Sequence, residues 1–415
     1  MKQNKSVVVI GAGIVGVSSA IWLHRAGVDV TLIDKAEPGM GTSYGNAGVL
    51  AACSVAPVTG PGLIAKGPKM LLDPDFPLFL RWPYLPKLVP WLARYLSNAN
   101  DADTRRISSG LAPITSDSVE QHHALADNSA AADWIQDSSY GFGYQSRADF
   151  EADSYVWDLR REAGFVPDLI EGDAVRELEP DLGPSVGLLA MVKHHGYVLD
   201  PGKYVQALAT EFEKSGGRLV QAEVKDFTIK SGRVSAVLTD KGNFECDSAV
   251  LATGVWSKEL TAKLGLVVPL ESERGYHIVF KSPSVKLNHP IMVASAKCVA
   301  TPMAEGLRCA GIVEFGGLEA GPSKAPLALL RKKISEIFPT LECESEEEWL
   351  GHRPAPSDSL PLIGEIGKTG VYSAYGHHHI GLTGGPKTGR LIADMIVGVP
   401  LNIDVSQYQP DRFRQ

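Results

Sequence analysis

Apolar and polar positions change their period twice within the first 34 residues. Ser6 to Ile10 (SVVVI) is a β-branched apolar run, the composition of a strand buried on both faces of a parallel sheet. Ile14 to Arg25 reads as a helix, with Gly27 as its C-terminal stop. Residues 29–33 (DVTLI) predict a second strand, which ends at Asp34. Further along, Pro201 opens a helix that runs to Ser215 and halts at Gly216 and Gly217, with a strand expected over 218–224. Residues 227–230 and 234–239, split by Ser-Gly-Arg, predict a hairpin. A short apolar strand at 249–252 closes on Thr253 and Gly254. Strands are also expected at 276–280, 291–295, 300–304 and 307–313, and helices over 111–137 and 387–397. No repeat and no low-complexity segment interrupts the chain.

Gly11, Gly13 and Gly16 form GxGxxG between the first strand and its helix. Gly11 suits the tight turn, Gly13 the approach of a pyrophosphate to the backbone, and Gly16 close packing of helix on sheet. The helix start presents free N–H groups and a positive dipole end to phosphate. Asp34 lies 18 residues after Gly16, where a carboxylate accepts ribose hydroxyls. Strand, helix, second strand and terminal acid together favour a dinucleotide site over a glycine-rich turn that merely packs.

The length, 415 residues, suggests two domains. A net charge of −8 with no basic cluster argues against nucleic acid as a partner. The five cysteines, at 53, 246, 298, 309 and 343, contain no CxxC pair and fit a reducing compartment. The opening MKQNK before an apolar run has the outline of a leader peptide, but such a leader has no use for the glycine spacing or the following strand. Residues 78–96 (LFLRWPYLPKLVPWLARYL) hold prolines and aromatics that raise the question of membrane contact. Their one-sided apolar pattern is weak and short, so packing within the protein is expected, and no transmembrane helix.

The glycine fingerprint does not separate FAD from NAD. Three later stretches do: GTSYGNAG (41–48), NFECDSAVLATGVWS (243–257) and GHRPAPSDSLPLIGEI (351–366), the last leading into YGHHHIGLTGGPKTG (375–389). Together they resemble the FAD-dependent amine and amino-acid oxidoreductases of the D-amino-acid oxidase superfamily, over residues 7–398. Nearest in pattern are its glycine oxidases and those of its D-amino-acid dehydrogenases that consist of one polypeptide. GTSYGNAG matches the family's TS-x-x-NAG element, and GHRP…D…PLIG its GxRPxxxDxxPxIG element. Gly376, His377, Gly381 and Gly389 fall at the positions of its last glycine loop.

The resemblance implies an α/β plus α+β fold. A discontinuous Rossmann-like FAD-binding domain would take residues 1–50, 195–265 and 350–400. A substrate domain over 51–194 and 266–349, built on a mainly antiparallel sheet, would roof the flavin, with 401–415 as a tail. It also implies non-covalent FAD. Ile14, Val15 and Lys35 join the three glycines and Asp34 as cofactor contacts. Thr42, Ser43, Asn46, Ala47 and Gly48 follow the pyrophosphate and ring. Val224 is the position whose backbone approaches adenine. Ala252, Thr253, Gly254 and Trp256, then Gly376, Ile380, Gly381, Leu382 and Thr383, complete the set.

The implied activity is oxidation of a D-amino acid or related secondary amino acid, by hydride transfer from Cα to flavin N5. The resulting imine hydrolyses to a keto acid. The alternative is an oxygen-using oxidase of glycine, sarcosine or iminodiacids that releases peroxide; a non-catalytic redox sensor is a third reading. The electron acceptor would be oxygen, or a quinone or other carrier. The location expected is cytoplasmic, with at most peripheral contact at the inner membrane face.

Such chemistry needs a cation for the substrate carboxylate. Arg353 is the leading candidate, because guanidinium matches carboxylate in two-pronged geometry. The alternative is an internal ion pair with Asp358. His379 and Tyr276 are further candidates, and strand alternation aims Tyr276 opposite His277. Arg274 is expected in a surface ion pair. In the histidine run, His377 holds a family loop position and a structural role, whereas His378 and His379 stand where relatives vary. No metal site is expected, since neighbouring extended side chains diverge and further ligands at sensible spacing are missing.

Overall fold

The computed structural model describes residues 5–414; the basic start weighed above, residues 1–4, and residue 415 lie outside them. Ser6–Ile10 lies between Ser248–Leu251 and Asp29–Asp34 and runs parallel to both. Its side chains are therefore covered on both faces, and Val7 to Ile10 are at most 2% exposed. Arg218–Gln221 extends the sheet beyond Asp29–Asp34, while Val371–Tyr375 and Leu362–Glu365 extend it on the other side. Pairing is parallel except between these last two strands.

Helices close one face of this sheet, Pro201–Lys214 among them. Ile14–Arg25 packs against Gly381–Val397 at Gly389, where a β-carbon would lie 2.6 Å from the backbone of Ser18 and Ser19. Only glycine lets the helices meet that closely. The opposite face carries an antiparallel sheet of Val224–Lys230, Arg233–Thr239 and Gly242–Glu245. The single strand expected over 218–224 is therefore two strands in two sheets. The chain turns between them as Ala222 N–H donates to Asp34 O and Glu223 N–H to Asp240 Oδ1.

A second, ten-stranded sheet carries most of the remaining strands. Leu270–Lys281 is the strand that matters for the site. It pairs antiparallel with Gly306–Phe315 on one side and Ser345–Pro356 on the other. Cys298–Met303, Ile291–Val293, Ile135–Tyr144 and Leu188–Val198 continue the sheet, which is antiparallel apart from two pairings. The α/β plus α+β class expected from the resemblance is the one observed.

Two further expectations need correction. The helix expected over 111–137 is two helices, Asp101–Thr115 and Ser118–Ala126, followed by the strand from Ile135. Asp117 makes the corner: its carboxylate accepts from Lys387 Nζ at 2.6 Å and from Gln121 Nε2 at 2.8 Å. The strand forms because Leu188–Val198, distant in sequence, pairs with it. The helix expected to begin at residue 387 begins at Gly381. Pro386 lacks the N–H that would bond Leu382 O, and His122 Nε2 takes that carbonyl instead at 2.9 Å.

Residues 78–96 form the strand Leu78–Leu80, a short turn and the helix Leu85–Ser97, which buries Leu88, Trp91 and Tyr95. Trp91 Nε1 donates to Ala355 O, so this segment packs against Ser345–Pro356, the partner strand of Leu270–Lys281. No helix among the described residues is long and apolar enough to cross a membrane.

Candidate active site

A cavity of about 940 Å³ lies between the parallel sheet and the ten-stranded sheet. At one end the glycine turn leaves Ser6–Ile10 and enters the helix capped by Gly13, which offers no side-chain cap, with no acidic residue in the first turn. The helix start is thus left for an external anion. Ile14 N–H donates to Ser43 Oγ at 3.0 Å. Asp34 braces the turn: Oδ2 accepts from Ala12 N–H at 2.6 Å and Oδ1 from Ala36 N–H at 2.9 Å. Residues 42–48 are clamped from the ten-stranded sheet. Arg308 Nη1 donates to Tyr44 O and Asn46 O, both at 2.8 Å, and Thr301 Oγ1 to Ala47 O at 2.7 Å.

Of the cofactor contacts expected from the sequence, Gly11, Gly13, Ile14, Val15, Asp34 and Lys35 line the cavity, as do Thr42, Ser43, Asn46 and Ala47. So do Val224, Ala252, Thr253, Gly254 and Trp256, and, from the last loop, Gly376, Gly381, Leu382 and Thr383. Gly16, Gly48 and Ile380 do not line it. A β-carbon on Gly16 would meet Gly11 O and one on Gly48 would meet Met303 Cε, so both glycines serve close packing. Ile380 is 2% exposed and belongs to the core.

Arg353 stands on the strand facing Leu270–Lys281, in register with Glu273. The neighbouring positions Gly275 and Gly351 are also in register and carry no side chains. The guanidinium folds over Gly275, where a β-carbon would lie 2.5 Å from Arg353 Cζ, and the Trp349 indole stands over Gly351. Arg353 lines the cavity and makes no hydrogen bond or ion pair within 4.0 Å among the described residues. The expected alternative partner, Asp358, is instead held by Arg412 at 2.7 Å. Burial lowers the Arg353 pKa, and Glu273 opposes that shift.

The three histidines take different partners. His377 is buried, and its Nε2 meets Thr388 Oγ1 at 2.8 Å; burial pushes its pKa down to about 4. His378 Nε2 lies 2.6 Å from Glu273 Oε2, both side chains being 6% exposed. His379 opens onto the cavity, with its Nδ1 2.7 Å from His378 Nδ1. Surrounding protein, His378 and Arg353 push the His379 pKa down to about 3, against the pull of Glu273. Burial raises the Glu273 pKa, but His378 and Arg353 outweigh it and hold this carboxyl below its usual range.

Tyr276 borders the cavity, yet its hydroxyl is committed elsewhere. It donates to Glu314 Oε2 at 2.7 Å and accepts from Ser323 N–H at 3.0 Å. The phenolic proton is thus given to Glu314 in this structure. Arg274, expected in a surface pair, is fully buried, with Nε 3.0 Å from Glu314 Oε2. Sequence reasoning missed Glu273, and also Arg160, which lines the cavity with Nε and Nη1 unpartnered. The Arg160 guanidinium rests on the rings of Phe142 and Trp157, at 4.2 and 4.5 Å. Neither residue lies in a motif, so spacing carried no signal for them.

The residues present fit FAD. The glycine turn leaves space that side chains would fill, since a β-carbon on Gly13 would stand 3.2 Å from Ser43 Oγ. The helix start, whose Ile14 N–H is taken by Ser43 Oγ, faces the same space, which continues to Arg353 and His379.

The model of the family described as DAO, FAD dependent oxidoreductase, matches residues 6–395. A D-amino-acid oxidase of Bradyrhizobium diazoefficiens is 39% identical over 100% of both chains. A D-amino acid dehydrogenase of the same organism is 29% identical over 98% of each. Among solved structures, an L-proline dehydrogenase from P. horikoshii superposes with a TM-score of 0.75 at 21% identity, covering 100% of this chain and 98% of that one.

Proposed function

Since the chain belongs to the DAO family of FAD-dependent oxidoreductases, we propose that it oxidises the Cα–N bond of a D-amino acid, giving an imine that water hydrolyses to a keto acid. The observation that carries this reading is the Arg353 guanidinium, held in the cavity with no anion of the described residues within 4.0 Å. A desolvated cation without a partner is costly, and a carboxylate brought by the substrate removes that cost. FAD, when bound, supplies the two-electron acceptor for the hydride that leaves Cα. The protein's residues hold the carboxylate, orient Cα and keep water out.

The D-configuration draws its support from the full-length relative at 39% identity, whose name is D-amino-acid oxidase. The cavity-lining residues from the glycine turn, the 42–48 loop, Val224, the 252–256 turn and the last loop are assigned to the cofactor. The three-segment division given above, with its substrate domain, is supported by the membership of the two large sheets. Leu188–Val198 and Ser345–Pro356 cross between its parts, and Val49–Leu50, inside the first segment, belongs to the ten-stranded sheet. Unpaired cysteines support a cytoplasmic location.

The test is anaerobic mixing of the purified yellow protein with D- and L-amino acids, imino acids and N-methylglycines. Bleaching of the flavin band by D-amino acids, with keto acid recovered, is expected. A band that no amino acid bleaches overturns the reading. Peroxide formed in air identifies oxygen as the acceptor; bleaching without peroxide points to a quinone or another carrier.

A further inference from the structure

Glu273, His378 and His379 form a contiguous series, and all three line the cavity. His378 Nε2 is 2.6 Å from Glu273 Oε2, and the Nδ1 atoms of His378 and His379 are 2.7 Å apart. The first contact is an ion-pair approach whose N–H lies off the line to the oxygen. The backbone is set for this arrangement: His378 sits at φ 51°, in the left-handed region, with its N–H on Pro354 O at 3.0 Å. A non-glycine residue held there signals a conformation imposed by its surroundings.

The partners dictate the tautomers. An ionised Glu273 beside His378 Nε2 favours the tautomer that carries its proton there. Neutral His378 then offers Nδ1 as a lone pair, which accepts the Nδ1–H of His379. His379 Nε2 is left as the unshared acceptor of a ring that lines the cavity.

We infer that Glu273, His378 and His379 are a proton relay that takes one proton from the substrate's ammonium group and holds it while the substrate is oxidised. The inference rests on the amino-acid reading above. An ammonium nitrogen has no lone pair to assist departure of a hydride from Cα, so a proton must leave first. In the step, an N–H bond of the ammonium breaks and His379 Nε2 gains the proton. The Nδ1 proton of His379 moves to His378 Nδ1. The products are a neutral amine, a neutral His379 in its other tautomer, and a His378 imidazolium against the Glu273 carboxylate. One proton enters the relay, no electron moves, and net charge is conserved.

The positive charge comes to rest on the histidine that faces a carboxylate. It never rests on His379, where the surrounding protein, His378 and Arg353 disfavour it. Other groups around the relay are accounted for. Arg353 faces Glu273 from the neighbouring strand, and Tyr95 faces it from the helix Leu85–Ser97. Burial and Glu273 keep the Tyr95 hydroxyl protonated. Glu271 is occupied by Tyr84 and Ser272 N–H, and His377 by Thr388. His379 is the member that meets the substrate; His378 and Glu273 are positioning residues.

The test compares holoenzymes of the wild type, Glu273→Gln and His378→Leu. The limiting rate of anaerobic bleaching at saturating D-amino acid is followed across pH. The variants should lose rate about tenfold per pH unit as pH falls below the amine pKa, and recover it at high pH. Flavin content and substrate affinity should stay near wild type. The wild type should keep its rate to a lower pH by at least about one unit.

An activity-free measurement accompanies this. Histidine side-chain ¹⁵N spectra are recorded with and without 2-aminoisobutyrate, which has no Cα–H to lose. Binding, seen as a perturbed flavin spectrum, should move His379 from Nδ1–H to Nε2–H and turn His378 into imidazolium. Parallel pH profiles in all three proteins, or unchanged nitrogen spectra with ligand bound, overturn the relay alone. A flavin that no amino acid bleaches overturns the substrate reading and the relay with it.

Discussion

The Arg353 guanidinium lies against the α-carbon of Gly275, in the space a side chain would occupy; a β-carbon there would sit 2.5 Å from Arg353 Cζ. Gly275→Ala must therefore push the guanidinium away. The strand itself tolerates alanine, since Gly275 has no left-handed backbone angle. Overpacking of this kind costs about 1–3 kcal/mol, so affinity for an amino-acid substrate should fall roughly fivefold to a hundredfold. Flavin content should hold. Unchanged substrate affinity in Gly275→Ala would show that the position of this arginine does not matter to binding.

Arg353 itself gives a sharper contrast. Arg353→Lys keeps the charge and loses the fork, so affinity should weaken while the bound flavin spectrum stays unchanged. Arg353→Ala removes a charge-assisted pair from a desolvated site, a loss of about 2–5 kcal/mol, or tens-fold to thousands-fold in kcat/KM. An amine without a carboxylate gains nothing from the arginine and should be affected far less. Equal losses for amino acids and such amines would move the carboxylate anchor elsewhere.

What could be read before the fold was known follows from the range of each signal. The glycine turn and Asp34 are local: β-branched strand, glycine spacing and helix period all lie within 34 residues, and the structure joins them by the Ala12 N–H to Asp34 bond. Arg353 was legible through its motif. Glu273 was not, because its meaning depends on His378, which is 105 residues later and packed against it only in the fold. The early start of the last helix was hidden for a related reason. Gly384, Gly385 and Pro386 read locally as a loop, and the histidine that satisfies the freed carbonyl comes from another helix. The corner at Asp117 likewise depends on Lys387, far along the sequence.

The cofactor should be held without a covalent bond. No cysteine lines the cavity among the described residues, and His377, which lines it, has its Nε2 engaged by Thr388. Acid precipitation should release the flavin into the supernatant, and phosphodiesterase should then convert it to FMN. Colour retained in the pellet would establish a covalent link, and a flavin unaltered by phosphodiesterase would rule out the dinucleotide.

His122 ties acid stability to the loop that opens the last helix. It is fully buried, with Nδ1 2.8 Å from Tyr204 Oη and Nε2 2.9 Å from Leu382 O. A neutral ring satisfies both, donating from Nε2 and accepting at Nδ1. Burial pushes its pKa down to about 4, from the ordinary 6.5. Above pH 6.5 the ring is neutral folded or unfolded, and His122 adds no pH dependence. Between the two values the unfolded protein binds a proton that the fold refuses, so stability falls by about 1.4 kcal/mol per pH unit. Below about pH 4 both states are protonated and the loss stops. His122→Gln should lower stability at pH 7 by about 1–3 kcal/mol, because the Leu382 carbonyl and Tyr204 hydroxyl lose their fitted partner. Between pH 7 and pH 5, however, it should lose about 2 kcal/mol less than the wild type. The other buried histidines are common to both proteins and cancel in this difference. Urea denaturation at the two pH values measures it, and equal losses would mean that His122 is protonated, or already open to solvent, within the folded protein.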